Sequence, residues 1–254
     1  MTEVEVPQDW YTRGFPPETS KMPWADKTVS EVDRAMTMLK PEGGERVLDL
    51  ACGIGRHAME LRRRGFEIVG VDISPELLEM AERDAAEQSL DIAFVEADLR
   101  ELDMRDEFDI VLSLNDGAVG YFETDEENYR TFEVVSQALR SGGGHLMQLP
   151  NVLHAEKNLP MKTWLAGEAT LELIDHRWNA QTRYLEGATV PIRIGEVFER
   201  YEEIPFRQRL YSVEELKDVY ESVGMALANV YRGSGKPRMP RDNQFEIFAE
   251  GRKA

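Results

Sequence analysis

The sequence predicts an α/β protein. It should hold a parallel sheet with helices on both faces, and a small antiparallel sheet inserted after the fifth strand. Three observations carry this. Residues 47–72 read as strand, glycine turn, helix and second strand. Up to Leu149, five apolar strand-like runs alternate with helical stretches, a pattern that calls for right-handed crossovers and helices on both faces of a sheet. From Pro150 to about Gln208 the alternation stops, and β-branched and aromatic residues recur between turn residues.

Residues 1–27 carry Trp10, Tyr11, Phe15, Pro16, Pro17, Pro23 and Trp24. The prolines argue against one long helix and the aromatics against a disordered tail. The segment reads either as a lid over a ligand or as an arm packed on the flank. Residues 28–40 form a helix, with Val29, Val32, Ala35, Met36 and Leu39 at helical spacing and Pro41, Gly43 and Gly44 beyond it. Val47, Leu48 and Leu50 are the first strand, short and apolar, as in a parallel strand buried on both faces. Cys52-Gly53-Ile54-Gly55 turns the chain into a helix over 56–64 that ends at Gly65, and Phe66 to Val71 lead to Asp72.

Ser74 as N-cap and Pro75 at the first helical position start the next helix. Residues 92–95 and 108–114 are the third and fourth strands, followed by Asp98 and by Asn115-Asp116-Gly117. A helix over 125–140 opens with acids, stops at Gly142-Gly143-Gly144, and gives way to a fifth strand over 145–149. In the next segment, 168–174, 177–185 and 197–206 look strand-like, with turns at Asn179, Gly187 and Gly195. Ser212 and Glu215 make a capping box for a helix over 212–223, and 225–231 and 245–250 are the last strands. The whole is expected to be one domain, 1–254. It divides into an N-terminal lid (1–27), a ligand-binding core (28–150), a β-rich cap (151–208) that is otherwise a sheet for dimer contact, and a C-terminal helix with closing strands (209–254).

Composition narrows the function. The 254 residues are 42 % hydrophobic, with 48 acids against 30 bases and a formal charge of −18. That balance disfavours a protein that neutralises nucleic-acid phosphates. No apolar run reaches membrane-spanning length, and the first residues lack the basic and apolar regions of a signal peptide. One cysteine, Cys52, rules out a disulfide framework and fits a cytoplasmic location; it reads as a small turn residue or, as the minority reading, a nucleophile. Four histidines and one cysteine show no metal-ligand spacing, so no metal is expected.

The ligand at the glycine turn is chosen by the acids around it. Gly53-x-Gly55-x-x-Ala58 with Asp72 further on also fits the dinucleotide fingerprint. Asp49, however, stands four residues before Gly53, where a carboxylate repels a pyrophosphate. Asp49, Asp72 and Asp98 together suit a ligand with positive charge and hydroxyl and amine donors, such as S-adenosylmethionine (SAM).

DLACGIGRHA, GVDIS, EADLREL and FDIVLSLN, in that order and spacing, resemble the class I SAM-dependent methyltransferases, closely over residues 29–151 and in outline beyond. The resemblance implies a Rossmann-like, seven-stranded sheet closed by an antiparallel pair. It also implies site roles. Ala51, Gly53 and Gly55 would lie against the methionine part of SAM, with Asp49 holding the loop and helping with the ammonium. Asp72 would take the ribose hydroxyls, Ile73 would pack on adenine, and Asp98 and the Leu99 amide would meet its edge. Asn115 would lie near the methionyl carbonyl. Apart from the resemblance, His57, in the first turn of the glycine-loop helix, reads as lining the cofactor pocket or as packing, and Tyr11 is a further cofactor-binding candidate. The product would be S-adenosylhomocysteine.

Methyl transfer needs positioning more than a catalytic motif. His154, after the fifth strand, is the first candidate for a general base. Tyr121 and Asp116, after the fourth, are candidates for positioning an acceptor, and Tyr211 for the pocket rim. His145 is expected at the surface, and His176 is expected to face outward, with a position facing the pocket as its other reading. The stretch Asn115-Asp116-Gly117-Ala118 lacks the Asn-Pro-Pro-Tyr-like tetrapeptide that in related folds marks methylation of base and glutamine amino groups. The reading is an enzyme that methylates oxygen or nitrogen of a small molecule, as monomer or homodimer, without membrane or nucleic-acid partners. The alternatives are a tRNA or protein methyltransferase, favoured by a run of arginines (Arg177, Arg183, Arg193, Arg200, Arg207, Arg209), a SAM-binding protein that transfers nothing, and a dinucleotide oxidoreductase.

Overall fold

The computed structural model describes residues 6–13, 22–115, 117–168, 170–195, 199–232 and 236–254. Phe15, Pro16, Pro17, Asp116 and Val197 lie outside the described residues.

The main sheet has seven strands. The chain lays down β1 (Arg46–Leu50), β2 (Glu67–Asp72) and β3 (Ala93–Glu96) outward, then returns to the other side of β1 for β4 (Phe108–Ser113) and β5 (Leu139–Pro150), all parallel. β11 (Met225–Tyr231) and β12 (Glu246–Lys253) close it antiparallel, giving the order β11-β12-β5-β4-β1-β2-β3. Alternate residues point to opposite faces. Leu48 and Leu50 of β1 and Val111 of β4 pack with Phe132, Leu216 and Tyr220, which come from α5 (Asp125–Ala138) and α7 (Val213–Ser222). Val47, Ile110 and Leu112 face Val32 and Ala35 of α2 (Thr28–Leu39) and Ala58 and Leu61 of α3 (Arg56–Arg63). α1 (Trp10–Arg13) is a single turn.

Local chemistry sets the helix ends. Lys40, with φ 51°, closes α2, and the Ser74 side chain accepts from Leu77 N–H at the start of α4 (Pro75–Glu87). Thr124 with Glu127 and Ser212 with Glu215 form capping boxes on α5 and α7.

The expected stop at the three glycines is not what ends α5. The helix ends at Ala138 and β5 begins at Leu139, so the glycines lie within the strand. Leu139 pairs with Phe108 and Gly144 with Ile110, which leaves residues 140–143 bulged opposite Asp109; Arg140 bonds that carboxylate at 2.9 Å. His145 is 1 % exposed rather than at the surface, because β5 has β4 on one side and β12 on the other. Its ring lies between the Ser113 hydroxyl (3.1 Å) and the Tyr220 hydroxyl (2.8 Å).

After β5 the chain forms a short helix, α6 (Val152–Asn158), which the strand-rich composition hid. A second sheet follows, from β6 (Met161–Ala166), β7 (Thr170–Asn179), β8 (Tyr184–Arg193), β9 (Glu199–Arg200) and β10 (Ile204–Arg209). It is antiparallel in the order β10-β8-β7-β6, with β9 beside β8. The expected strand over 177–185 instead spans the hairpin between β7 and β8, and β6 was not foreseen. Gly187 is not a turn. It sits mid-strand opposite His176, where a Cβ would overlap the Asp175 carbonyl and approach Phe206 at 2.7 Å. Gly187→Ala is therefore expected to cost about 1–3 kcal/mol, because that carbonyl belongs to a ladder strand that cannot shift. A lower urea midpoint at unchanged slope would show it.

Candidate active site

The sheet reverses direction of growth at β1, so the loops leaving β1 and β4 diverge and open a crevice beyond their carboxyl ends. The glycine turn fills one side of it. Ala51 (φ 52°), Gly53 (φ 53°) and Gly55 (φ 69°) all hold left-handed backbone, which brings the turn back onto β2: Cys52 N–H donates to Val71 O at 3.0 Å. Gly55 starts α3, and a Cβ there would lie 2.8 Å from Phe94, so the helix packs tightly on β3. Asp72, at the end of β2, accepts from Gly53 N–H (2.7 Å) and Ser74 N–H (2.9 Å). Burial raises its pKa, and those N–H donors work against the rise.

One cavity occupies this crevice. Of the cofactor candidates, Tyr11, Ala51, Gly53, His57, Asp72, Ile73, Asp98, Leu99 and Asn115 line it. Asp49 and Gly55 do not. Asp49 is buried behind the turn, accepts from the Ala58 backbone, and leaves Oδ2 without a partner; burial raises its pKa to about 7. Gly55 serves the helix start. His57 Nε2 lies 2.9 Å from Glu31, which also pairs with Arg56 at 2.5 Å, all three being 9 % exposed or less. Burial keeps the His57 ring neutral by lowering its pKa, whereas His57 and Arg56 pull Glu31 down to about 2 against its desolvation. Asp98 is clasped by Arg100 at 2.6 Å, which lowers its pKa.

The N-terminal segment reaches the same crevice. Tyr11 sits edge-on to Phe122 at 5.5 Å and its hydroxyl accepts from Arg100 at 3.3 Å, while Trp10 packs on Tyr121 at 4.6 Å. Trp24 lines the cavity with the Arg56 guanidinium 5.2 Å over its ring.

A second cavity of about 400 Å³ lies between the main sheet and the cap. Trp24, Asn115 and Tyr121 line both. The sequence candidates fare unevenly here. Tyr121 is at the junction. His154 is on α6, lines neither cavity, and bonds the Asp242 carbonyl through Nδ1 at 2.9 Å; its ring packs edge-on against Phe245. His176 faces inward, contrary to expectation: it is 7 % exposed and lines the second cavity, because its position on β7 alternates toward the core. Tyr211 is fully buried in the core beside Phe132 rather than at a rim. Glu172, also lining this cavity, went unnoticed; only a strand register would have put it on the same face as His176. Cys52 is buried, and burial raises its pKa, which counts against the nucleophile reading. Among the described residues no group of His, Cys, Asp and Glu could hold a metal, and no helix is long and apolar enough to cross a membrane.

The lining fits SAM. The left-handed turn leaves backbone open to the cavity, and Asp72 presents a carboxylate to it. Comparison with known proteins agrees. Residues 47–143 match the family described as "Methyltransferase domain". YqeM of Bacillus subtilis (strain 168), assigned as a methyltransferase, is 29 % identical over 75 % of this chain and 76 % of its own. A 23S rRNA (uracil(1939)-C(5))-methyltransferase, RlmD of Shewanella frigidimarina, is 41 % identical, but over only 27 % of this chain and 15 % of its own.

In fold, a SAM-dependent methyltransferase from Clostridium acetobutylicum superposes with TM-score 0.75 at 15 % identity, covering 97 % of this chain and 98 % of that one. SAM-bound CalS10, an amino pentose methyltransferase from Micromonospora echinaspora, covers 100 % of both at TM-score 0.67 and 17 % identity. The match over residues 47–143 marks a methyltransferase domain, and the fold is that of the class I SAM-dependent methyltransferases.

Two outcomes follow from this geometry. Hydrogen bonds to a charged group contribute about 1.5–3 kcal/mol. Asp72→Ala should therefore weaken SAM binding about ten- to a hundredfold by calorimetry, and unchanged affinity in a folded variant would refute the role. Glu31→Gln leaves Arg56 buried without its counter-ion and should cost about 3 kcal/mol at pH 7. Glu31 titrates below its unfolded range, so its contribution is complete above pH 4.5 and fades as pH falls toward about 2. Urea unfolding of wild type and variant should therefore converge on acidification.

Proposed function

We propose that the enzyme methylates oxygen or nitrogen of a small molecule held in the second cavity. The observation that carries this is the junction: Trp24, Asn115 and Tyr121 border both cavities, so an acceptor in one meets a methyl donor in the other. When bound, SAM supplies a methyl group on a sulfonium, whose sulfur leaves readily. The chain's own work is then to position and enclose. In this reading the turn backbone of Ala51 and Gly53 receives the methionine part, Asp72 the ribose, and Asp98 with Leu99 the adenine. Residues 1–27 act as the lid, through Tyr11 and Trp24, and residues 151–208 as the cap over the acceptor. Tyr121 orients the acceptor at the junction. His154 takes no part.

The fold shared over full length with an amino pentose methyltransferase supports a small acceptor. Against a nucleic-acid substrate stand the short span of the rRNA methyltransferase match and the state of the cap arginines. Arg177 pairs with Asp175, Arg183 and Arg209 with Glu215, Arg200 with Glu203 and Arg207 with Glu123, which leaves little free charge for phosphate. We take the enzyme to be cytoplasmic, monomeric or homodimeric.

SAM labelled in its methyl group, incubated with metabolite, RNA and protein fractions of the host, should label the metabolites; label confined to RNA or protein would overturn the reading. Once an acceptor is in hand, His154→Gln should leave the rate and its pH profile unchanged. Tyr121→Ala should lower kcat/KM by about ten- to a hundredfold, as expected for lost positioning.

A further inference from the structure

β7 presents one face to the second cavity: Glu172, Ile174 and His176, at alternate positions, all line it. Glu172 and His176 are 6 % and 7 % exposed. Neither is tied as Glu31 is by Arg56 and His57, or His145 by Ser113 and Tyr220. Glu172 accepts a hydrogen bond from the Trp24 side chain and, among the described residues, is acted on by one cation, the exposed Lys27. Burial outweighs both and raises its pKa to about 7. His176 Nδ1 is buried with no hydrogen-bond partner. A buried carboxylate without a close counter-ion costs stability unless a ligand completes it.

The walls nearby say what that ligand is. Trp10, Trp24, Tyr121, Phe206 and Phe245 line the same cavity. Aromatic walls beside a carboxylate attract an organic cation through both ring quadrupoles and charge, and give a neutral hydroxyl group neither. The remaining charged groups of the cavity are otherwise placed. Glu31 is held by Arg56 and His57, Arg34 lies 5.3 Å over the Phe248 ring, and Lys27 and Glu246 are exposed. Trp24 bonds Glu172 and also borders the cofactor cavity, so the Glu172 end is the one next to the methyl donor. His176, four strand steps on and thus about 13 Å away along the backbone, marks the far end, against Phe206 and Phe245.

We propose that the acceptor is an organic amine, bound as its ammonium against Glu172 within these aromatic walls, with a hydroxyl or other donor at its far end for His176. Glu172 takes the proton that must leave the nitrogen before methylation: R–NH3+ and the carboxylate become R–NH2 and the carboxylic acid, and the freed lone pair is the nucleophile. The proposal rests on the methyltransferase reading above and narrows its acceptor from oxygen or nitrogen to nitrogen.

The test uses the full-length protein saturated with S-adenosylhomocysteine, whose own binding is first measured by calorimetry. Cyclohexylamine and its neutral counterpart cyclohexanol are then titrated, with quenching of tryptophan fluorescence as the readout, since Trp10 and Trp24 line the cavity. The amine should bind at least about tenfold tighter at pH 8. It stays protonated across pH 6–8, as a lysine does. Its preference should therefore shrink as pH falls through about 7 and Glu172 takes up a proton. Glu172→Gln should abolish the preference while S-adenosylhomocysteine still binds, and Glu172→Asp, which keeps the charge, should retain part of it. Equal affinity for the two probes, no binding of the amine, or a preference that survives Glu172→Gln would overturn the proposal. Failure of wild type to bind S-adenosylhomocysteine would instead overturn the methyltransferase reading beneath it.

Discussion

A parallel sheet that grows outward from β1 and then resumes on its other side must leave a gap where the loops after β1 and β4 part. The rest of this molecule depends on how that gap is shaped. The Asp72 carboxylate shapes it by holding two backbone N–H groups, Gly53 from the glycine turn and Ser74 from the start of α4. One side chain thus fixes two of the loops that border the cavity, those after β1 and β2. Its burial is tolerable because those donors replace water around the charge.

The opposite border, the loop after β4, is held from outside the main sheet. Asn128 on α5 binds Phe122 through both backbone groups, at 3.0 Å each. Tyr184 of β8 donates to Phe122 O, Gln208 of β10 donates to Val119 O, and Arg209 N–H donates to Gly120 O. Trp10 and Tyr11 pack on the same loop from the N-terminal side. The loop that carries Tyr121 is therefore positioned by α5, the cap and the N-terminal segment at once.

Among the described residues, two sets of buried polar groups bond within themselves. Glu31 with Arg56 and His57 ties α2 to α3, and His145 with Ser113 and Tyr220 ties β4, β5 and α7. Within each set the buried groups bond one another, so these are structural. Asp49 Oδ2 and His176 Nδ1 are left without partners, and Glu172 is left without a close cation. All three lie at or behind a cavity wall.

The chain by itself determined the parallel core. Strand-to-helix transitions such as Asp49 to Arg56 and Asp72 to Pro75 are local, written in backbone-permissive glycines, caps and short apolar runs. The resemblance to class I methyltransferases rests on those same stretches, and Asp72, Asp98 and Asn115 were legible for that reason. What only tertiary structure decided is where side chains point once strands pair. In an antiparallel cap a shift of one residue turns every side chain to the other face, and nothing local in residues 161–209 sets the register. His176 therefore read as outward and Glu172 was not seen, whereas pairing against β6 and β8 turns both into the cavity. His145 likewise read as exposed after three glycines, and became buried when β12, about a hundred residues later, paired beside it. Long-range pairing is invisible to local pattern, and the cap wall of the second cavity is built from it.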